Sequence, residues 1–113
     1  MLSVWVELEV LEGQESAFLD AIARNQRASL DDEPGCWFFD VLRLDESGRR
    51  WAFYEIYRDA RAFFEEHRSA PHYAEWKAAV AATVVPGSQV VTTAERALPS
   101  PSAELDRAER PGL

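Results

Sequence analysis

The stretch Cys36–Arg58, CWFFDVLRLDESGRRWAFYEIYR, constrains this chain more than any other. Two runs rich in aromatic and β-branched residues flank Asp45-Glu46-Ser47-Gly48, a sequence with turn chemistry, so the stretch reads as a β-hairpin. Side chains alternate across a strand. In the first run Trp37, Phe39 and Val41 share one face, and Phe38, Asp40 and Leu42 share the other. In the second run Tyr54 and Ile56 lie together, opposite Phe53, Glu55 and Tyr57. Folding the hairpin about residues 46–49 sets Asp40 across from Glu55, a pairing that a slip of one residue would reverse. It would place two carboxylates among aromatics on one sheet face, the pattern of a polar-lined pocket.

The flanking sequence completes a fold. Leu2–Val10 alternates, with Val4, Val6, Leu8 and Val10 on one face and Ser3, Trp5, Glu7 and Glu9 on the other. After Gly13, residues 14–30 carry Phe18, Leu19, Ile22, Asn25, Ser29 and Leu30 on or near one side of a helix. Pro34 and Gly35 end it, because proline disfavours helix in the residue before it and glycine permits a sharp turn. Asp59 is placed to cap a short helix running to about Arg68. Pro71 opens another that runs to about Thr83, with Tyr73, Trp76, Lys77, Val80 and Val84 on its inner stripe. Pro86-Gly87 leads into a last strand, Ser88–Ala97.

The order β-α-β-β-α-(α)-β is the α+β, ferredoxin-like split βαβ: a four-stranded antiparallel sheet with helices on one face. The expected domain spans residues 1–98. Residues 99–113, Pro-Ser repeats followed by mixed charges, read as a disordered tail. The uncovered sheet face is expected to carry Trp5, Glu7, Glu9, Phe38, Asp40, Phe53, Glu55 and Tyr57. So many aromatics call for a cover, and a second copy of the chain supplies one, giving a homodimeric barrel.

Composition excludes several classes. A chain of 113 residues forms one domain, and its net charge of −8 is wrong for nucleic acid or an anionic membrane. No apolar run approaches the ~20 residues of a membrane span. The start, MLSVWVELEV, lacks the basic region and cleavage site of a signal peptide. Cys36 is the only cysteine, so no internal disulfide forms and a cytoplasmic setting is expected. Nucleotide, flavin and nicotinamide loops are absent, as is any CxxC.

Candidate chemistry falls to few residues. His67 and His72 are the only histidines and the natural general acids or bases; otherwise they pack at helix ends. Five residues apart with a proline between, they lack the spacing of metal ligands, and no metal site is expected from them. Asp40 and Glu55, if buried together, form a carboxylate pair with one raised pKa, or else a structural hydrogen-bond pair. Asn25, Tyr54, Tyr57, Phe64 and Trp76 are the candidate substrate-binding residues, with Trp76 and Phe64 as pocket walls. Cys36 has no basic neighbour in sequence to activate it.

The blocks Glu33-Pro34-Gly35-Cys36, Phe39-Asp40-Val41, Tyr54-Glu55-Ile56-Tyr57-Arg58-Asp59 and His67-Arg68-Ser69-Ala70-Pro71-His72-Tyr73 come in an order that resembles the antibiotic biosynthesis monooxygenase (ABM) superfamily. The resemblance runs over about residues 2–97 and points to the branch of quinol monooxygenases and an isomerase of a phosphorylated quorum signal. It implies a dimeric α+β barrel with a pocket between sheet and helices in each subunit. It also implies oxygenation of a quinol or similar small aromatic without metal or flavin, the substrate's own carbanion reacting with oxygen. On that reading His72 or the Asp40/Glu55 pair is the base, and Asn25, His67 and Tyr54 or Tyr57 orient the substrate. The alternatives are an isomerase acting on a small phosphorylated dicarbonyl and a non-catalytic binding module. Two departures stand out. The Asn, Trp and His of the haem-degrading branch correspond to Glu9, Glu66 and Trp76 here, which speaks against haem, and the usual Thr before Pro-His is Ala70.

Overall fold

A computed structural model of the chain describes residues 1–98, so the expected tail lies outside the described residues. The elements are β1 (Leu2–Glu9), α1 (Glu15–Asp32), β2 (Cys36–Arg43), β3 (Arg50–Tyr57), a π-helix (Ala62–His67), α2 (Pro71–Thr83) and β4 (Val90–Glu95). The strands form one antiparallel sheet in the order β2-β3-β1-β4. This is the ferredoxin-like arrangement, with the N-terminal strand central and the two hairpin strands on one side of it.

The alternation in β1 sets the inner face. Val4, Val6 and Leu8 are buried, whereas Trp5, Glu7 and Glu9 are only partly covered. Phe18 from α1 fits between Trp51 and Phe53 of β3, at ring-centroid distances of 5.7 and 6.2 Å, and Trp76 of α2 closes on Phe53 at 5.8 Å. Fully burying one such aromatic stabilises the fold by roughly 1.5–3 kcal/mol. Gly13, Gly48 and Gly87 sit at positive φ in the turns after β1, within the hairpin and before β4, where glycine carries no Cβ penalty.

The hairpin register differs from the expected one by a single residue. Phe39 pairs with Glu55, Asp40 with Tyr54 and Val41 with Phe53. The loop is responsible. Leu44 N–H donates to the Arg50 carbonyl at 2.9 Å, and the Asp45 carboxylate accepts from Ser47 N–H and Oγ–H, which leaves five residues rather than four between the closing pair. Because strand faces alternate, the slip moves every side chain on one strand relative to the other. Phe53, Glu55 and Tyr57 therefore face the helices instead of the open side. The Asp40/Glu55 pair does not form: Asp40 is exposed on the outer face, and Glu55 is buried on the inner one.

The outer face carries Trp5, Tyr54 and Phe38. Tyr54 lies between the other two, with centroids 6.4 Å from Trp5 and 5.7 Å from Phe38. Trp5 also donates its indole N–H to Glu7 at 3.0 Å, so the aromatic-beside-carboxylate theme read from β1 is real. The edge strand β4 is exposed along its whole length.

The segment after β3 begins as expected, with the Asp59 carboxylate accepting from Ala62 N–H at 2.8 Å. It then widens into π-helical turns over Ala62–His67. Such turns are uncommon and recur at functional sites. No described helix is long and apolar enough to cross a membrane.

Candidate active site

Glu55 is the centre of the site. Its position in β3 points it inward, between Val4 and Phe39 on the neighbouring strands, and it is 3% exposed. The Tyr57 hydroxyl, two residues on and on the same face, donates to Glu55 Oε1 at 2.7 Å. Burial pushes the Glu55 carboxyl up to about 7, and the hydrogen bond from Tyr57 and the nearby His67 only partly offset this. The Tyr57 phenol is raised, by burial first and then by the adjacent Glu55 charge, so it remains a donor.

Glu55 lines a cavity of about 40 Å³ between the sheet and the helices. Phe53, Phe63 and Trp76 are among its apolar walls; Asn25, His67 and Arg68 are among its polar ones. Asn25 is 4% exposed on the inner side of α1, and its Oδ1 has no hydrogen-bond partner among the described residues. An unpaired buried acceptor costs about 1–3 kcal/mol, and a donor on a molecule in the cavity would relieve it. The volume suits a few waters. A substrate ring needs the rim, which includes Arg68, Tyr73, Gln89 and Val91, to give way.

His67 joins this cavity to a second cluster. Its ring is stacked on Phe63 and edge-on to Tyr73, and its Nδ1 lies 3.0 and 2.9 Å from the two carboxylate oxygens of Glu33. His72, at the start of α2, brings Nε2 to 2.5 Å from Glu33 Oε2, and Ser29 Oγ lies 3.4 Å from the same nitrogen. Burial alone would raise the Glu33 pKa, but hydrogen bonds and charge from His67 and then His72 outweigh it and hold the carboxyl below its usual value. The two histidines, which looked unconnected at a spacing of five, are thus bridged by one buried carboxylate.

Sequence reasoning gave Glu33, in the turn that ends α1, no chemical role. The signal available was its place in the Glu-Pro-Gly-Cys block. Gly35 is what lets that turn press against the π-helix, since a Cβ there would lie 2.6 Å from the Ala62 Cβ.

Of the expected site residues, Glu55, His67, Asn25 and Trp76 come together at the cavity, and Tyr57 stands behind Glu55. His72 lies on the Glu33 side, where it borders a second cavity, of about 120 Å³, with Asn25 and Trp76. Tyr54 is on the outer face with Asp40. Phe64 does not line the cavity; it is 44% exposed and packs on Phe63 and Arg68. Buried Cys36 has its thiol pushed up to about 12, by burial first and then by the Glu33 charge, so it is inert at neutral pH.

This fold agrees with the comparisons to known proteins. The family model for antibiotic biosynthesis monooxygenase matches residues 1–79. The chain belongs to the ABM family. Among solved structures, a candidate antibiotic biosynthesis monooxygenase from Nitrosomonas europaea is 25% identical, with a TM-score of 0.75 over 85% of this chain and 98% of that one. A Mycobacterium tuberculosis protein is 24% identical, with a TM-score of 0.74 over 89% and 98% of the two chains. A candidate ABM protein from Bacteroides thetaiotaomicron is 17% identical, with a TM-score of 0.78 over 89% and 93%. The last two are likenesses of fold. No curated protein sequence matches this ABM chain.

Proposed function

We propose that this ABM protein is a monooxygenase of a quinol or similar small aromatic, with Glu55 as its general base. The observation that carries the reading is a carboxyl poised near neutrality inside an aromatic-walled cavity. A base is most effective when its pKa lies near the working pH.

The chemistry balances without an external reductant. A quinol and O2 give a hydroxyquinone and water, the quinol supplying its own electrons. Glu55 takes the proton of a substrate hydroxyl, which leaves an electron-rich anion able to react with oxygen. The same carboxyl returns the proton to the oxygen that departs as water. Asn25 Oδ1 accepts from a second substrate hydroxyl, and the His67 ring borders the space where negative charge develops. Phe53 and Trp76 hold the aromatic ring and keep out bulk water. A homodimer formed across Trp5, Phe38 and Tyr54 would cover the outer face.

Oxygen uptake with a panel of hydroquinones and naphthoquinols tests this. Uptake that disappears in Glu55→Gln is the expected result. Flat traces from a folded wild-type protein across the panel would remove it.

A second reading draws on Arg68, the one cation among the described residues that line the Glu55 cavity. A guanidinium beside a carboxyl that shuttles protons suits isomerisation of a small phosphorylated dicarbonyl. Solvent-proton exchange into such a compound, lost in Arg68→Gln and independent of oxygen, distinguishes it.

A further inference from the structure

The structure assigns a second site to this chain: we infer that Glu33, His67 and His72 bind one first-row divalent cation, of the Zn2+ or Co2+ class. The inference goes beyond the oxygenase reading and does not depend on it.

Three elements converge on one point. Glu33 comes from the turn after α1, His67 from the end of the π-helix and His72 from the first turn of α2. One ligand atom from each, Nδ1 of His67, Nε2 of His72 and a Glu33 oxygen, lies within 4.8 Å of the others. Zinc takes such ligands at about 2.0–2.1 Å, which sets them about 3.3 Å apart around a tetrahedron. The present separations to Glu33 Oε2 are 2.9 Å from His67 and 2.5 Å from His72, so a metal entering between the three groups would spread these two contacts to reach that geometry. Two imidazoles and a carboxylate suit zinc, cobalt and iron, and they leave positions open for water or an added ligand.

The surroundings favour a cation. Glu33 is a carboxylate 8% exposed, and among the described residues its side-chain hydrogen-bond partners are the two imidazoles, with no lysine or arginine bond to it. A buried carboxylate needs positive charge beside it, and a bound cation supplies it. The ligands are already held in place. Phe63, Tyr57 and Tyr73 pack around the His67 ring, and Ser29 Oγ lies beside His72 Nε2, where it can bond a metal-bound water. An open depression bordered by Asp32, Glu33, His72 and Glu75 gives a cation access from an acidic surface. On binding, each imidazole ligates through the ring nitrogen that faces Glu33 and carries its proton on the other. His67 then keeps Nε2–H as a fixed donor.

The test uses untagged full-length protein, stripped with chelator and exchanged into chelator-free buffer. Co2+ and Zn2+ titrations should show one equivalent bound, with visible d–d absorption for Co2+ and a rise in Tm with metal concentration. Glu33→Gln and His72→Gln should each weaken binding by at least about tenfold, whereas Asp40→Asn should not. Because His67 and His72 are the only histidines, ring-nitrogen NMR of the wild-type protein decides the point even if a variant folds poorly. Zn2+ should shift His67 Nδ1 and His72 Nε2 together. Absence of saturable one-to-one uptake, uptake that leaves both imidazoles unmoved, or uptake equal in the folded variants would overturn the inference. Each readout is independent of turnover, so a failed oxygenase assay leaves it standing.

Discussion

The Tyr57 hydroxyl donates to Glu55 Oε1 at 2.7 Å, from two residues further along the same buried strand face. A phenol that stays protonated is thereby fixed against a carboxyl that does not ionise easily. The bond favours the charged carboxylate, whereas burial favours the neutral acid, and burial wins.

Tyr57→Phe removes the donor and leaves the burial. The Glu55 pKa should rise further above 7, and the ascending limb of the pH–rate profile should move up with it. Loss of one buried hydrogen bond should cost about 0.5–1.5 kcal/mol. Carbon-13 titration of the Glu55 carboxyl gives the shift directly. An unchanged or lower pKa would mean that the phenol does not set this group.

Glu55 should also make stability depend on pH in an unusual direction. Its folded-state pKa, about 7, lies above the ordinary 4.5, so between those values the native state holds a proton that the unfolded chain has released. The stabilisation is complete below about pH 4.5 and is lost as pH rises through about 7, amounting to roughly 3 kcal/mol at ~1.4 kcal/mol per unit. Tyr57 on β3, His67 on the π-helix and Glu33 on the turn face the same region, so the wild-type curve contains their effects as well. The difference between wild type and Glu55→Gln, measured by urea denaturation from pH 5 to 8, isolates Glu55. Wild-type stability relative to Glu55→Gln should fall steadily with rising pH.

Outer-face substitutions test the dimer without touching the cavity. Tyr54 lies between Trp5, tilted against it, and Phe38, edge-on to it, on the side away from the helices. Tyr54→Asp would add a carboxylate at the centre of that patch and beside Asp40. Sedimentation should show wild type as a dimer and the variant as a monomer, with the near-ultraviolet spectrum of the buried aromatics largely kept. A monomeric wild type would remove the dimer from the proposal.

The strand and helix order was legible because β1 alternates cleanly and because Pro34, Gly35, Pro71 and Gly87 punctuate the chain. The hairpin faces were not, since register depends on the parity of the loop. Asp45 capping Ser47 adds the one residue that sends Glu55 inward and Asp40 outward. Asn25 was recognisable as a polar residue continuing an apolar stripe. His67 and His72 were recognisable as histidines, but nothing in their spacing indicated that Glu33 joins them, because that contact spans 34 and 39 residues and is made only when three elements pack. The same register explains why Asp40→Asn should be nearly silent. An exposed carboxylate on the far face, it should change stability by no more than about 0.5 kcal/mol.

Gly35 is where the fold and the Glu33 cluster meet most tightly. Its carbonyl accepts from Arg58 N–H at 2.8 Å, and an added Cβ would lie 2.6 Å from the Ala62 Cβ. Neither atom can rotate away, so Gly35→Ala must push the turn off the π-helix. We expect a loss of about 1–3 kcal/mol, with Glu33 drawn back from His67 as a consequence. Ala62→Gly alone should cost roughly 0.5–1 kcal/mol through helix propensity. If the clash is the cause, the double variant should be more stable than the sum of the two single losses, because the methyl that obstructs the new Cβ is gone. Denaturant midpoints for the four proteins of this cycle provide the comparison. Simple additivity would show that the turn accommodates the methyl elsewhere, and that Gly35 does not set the approach of Glu33 to the π-helix.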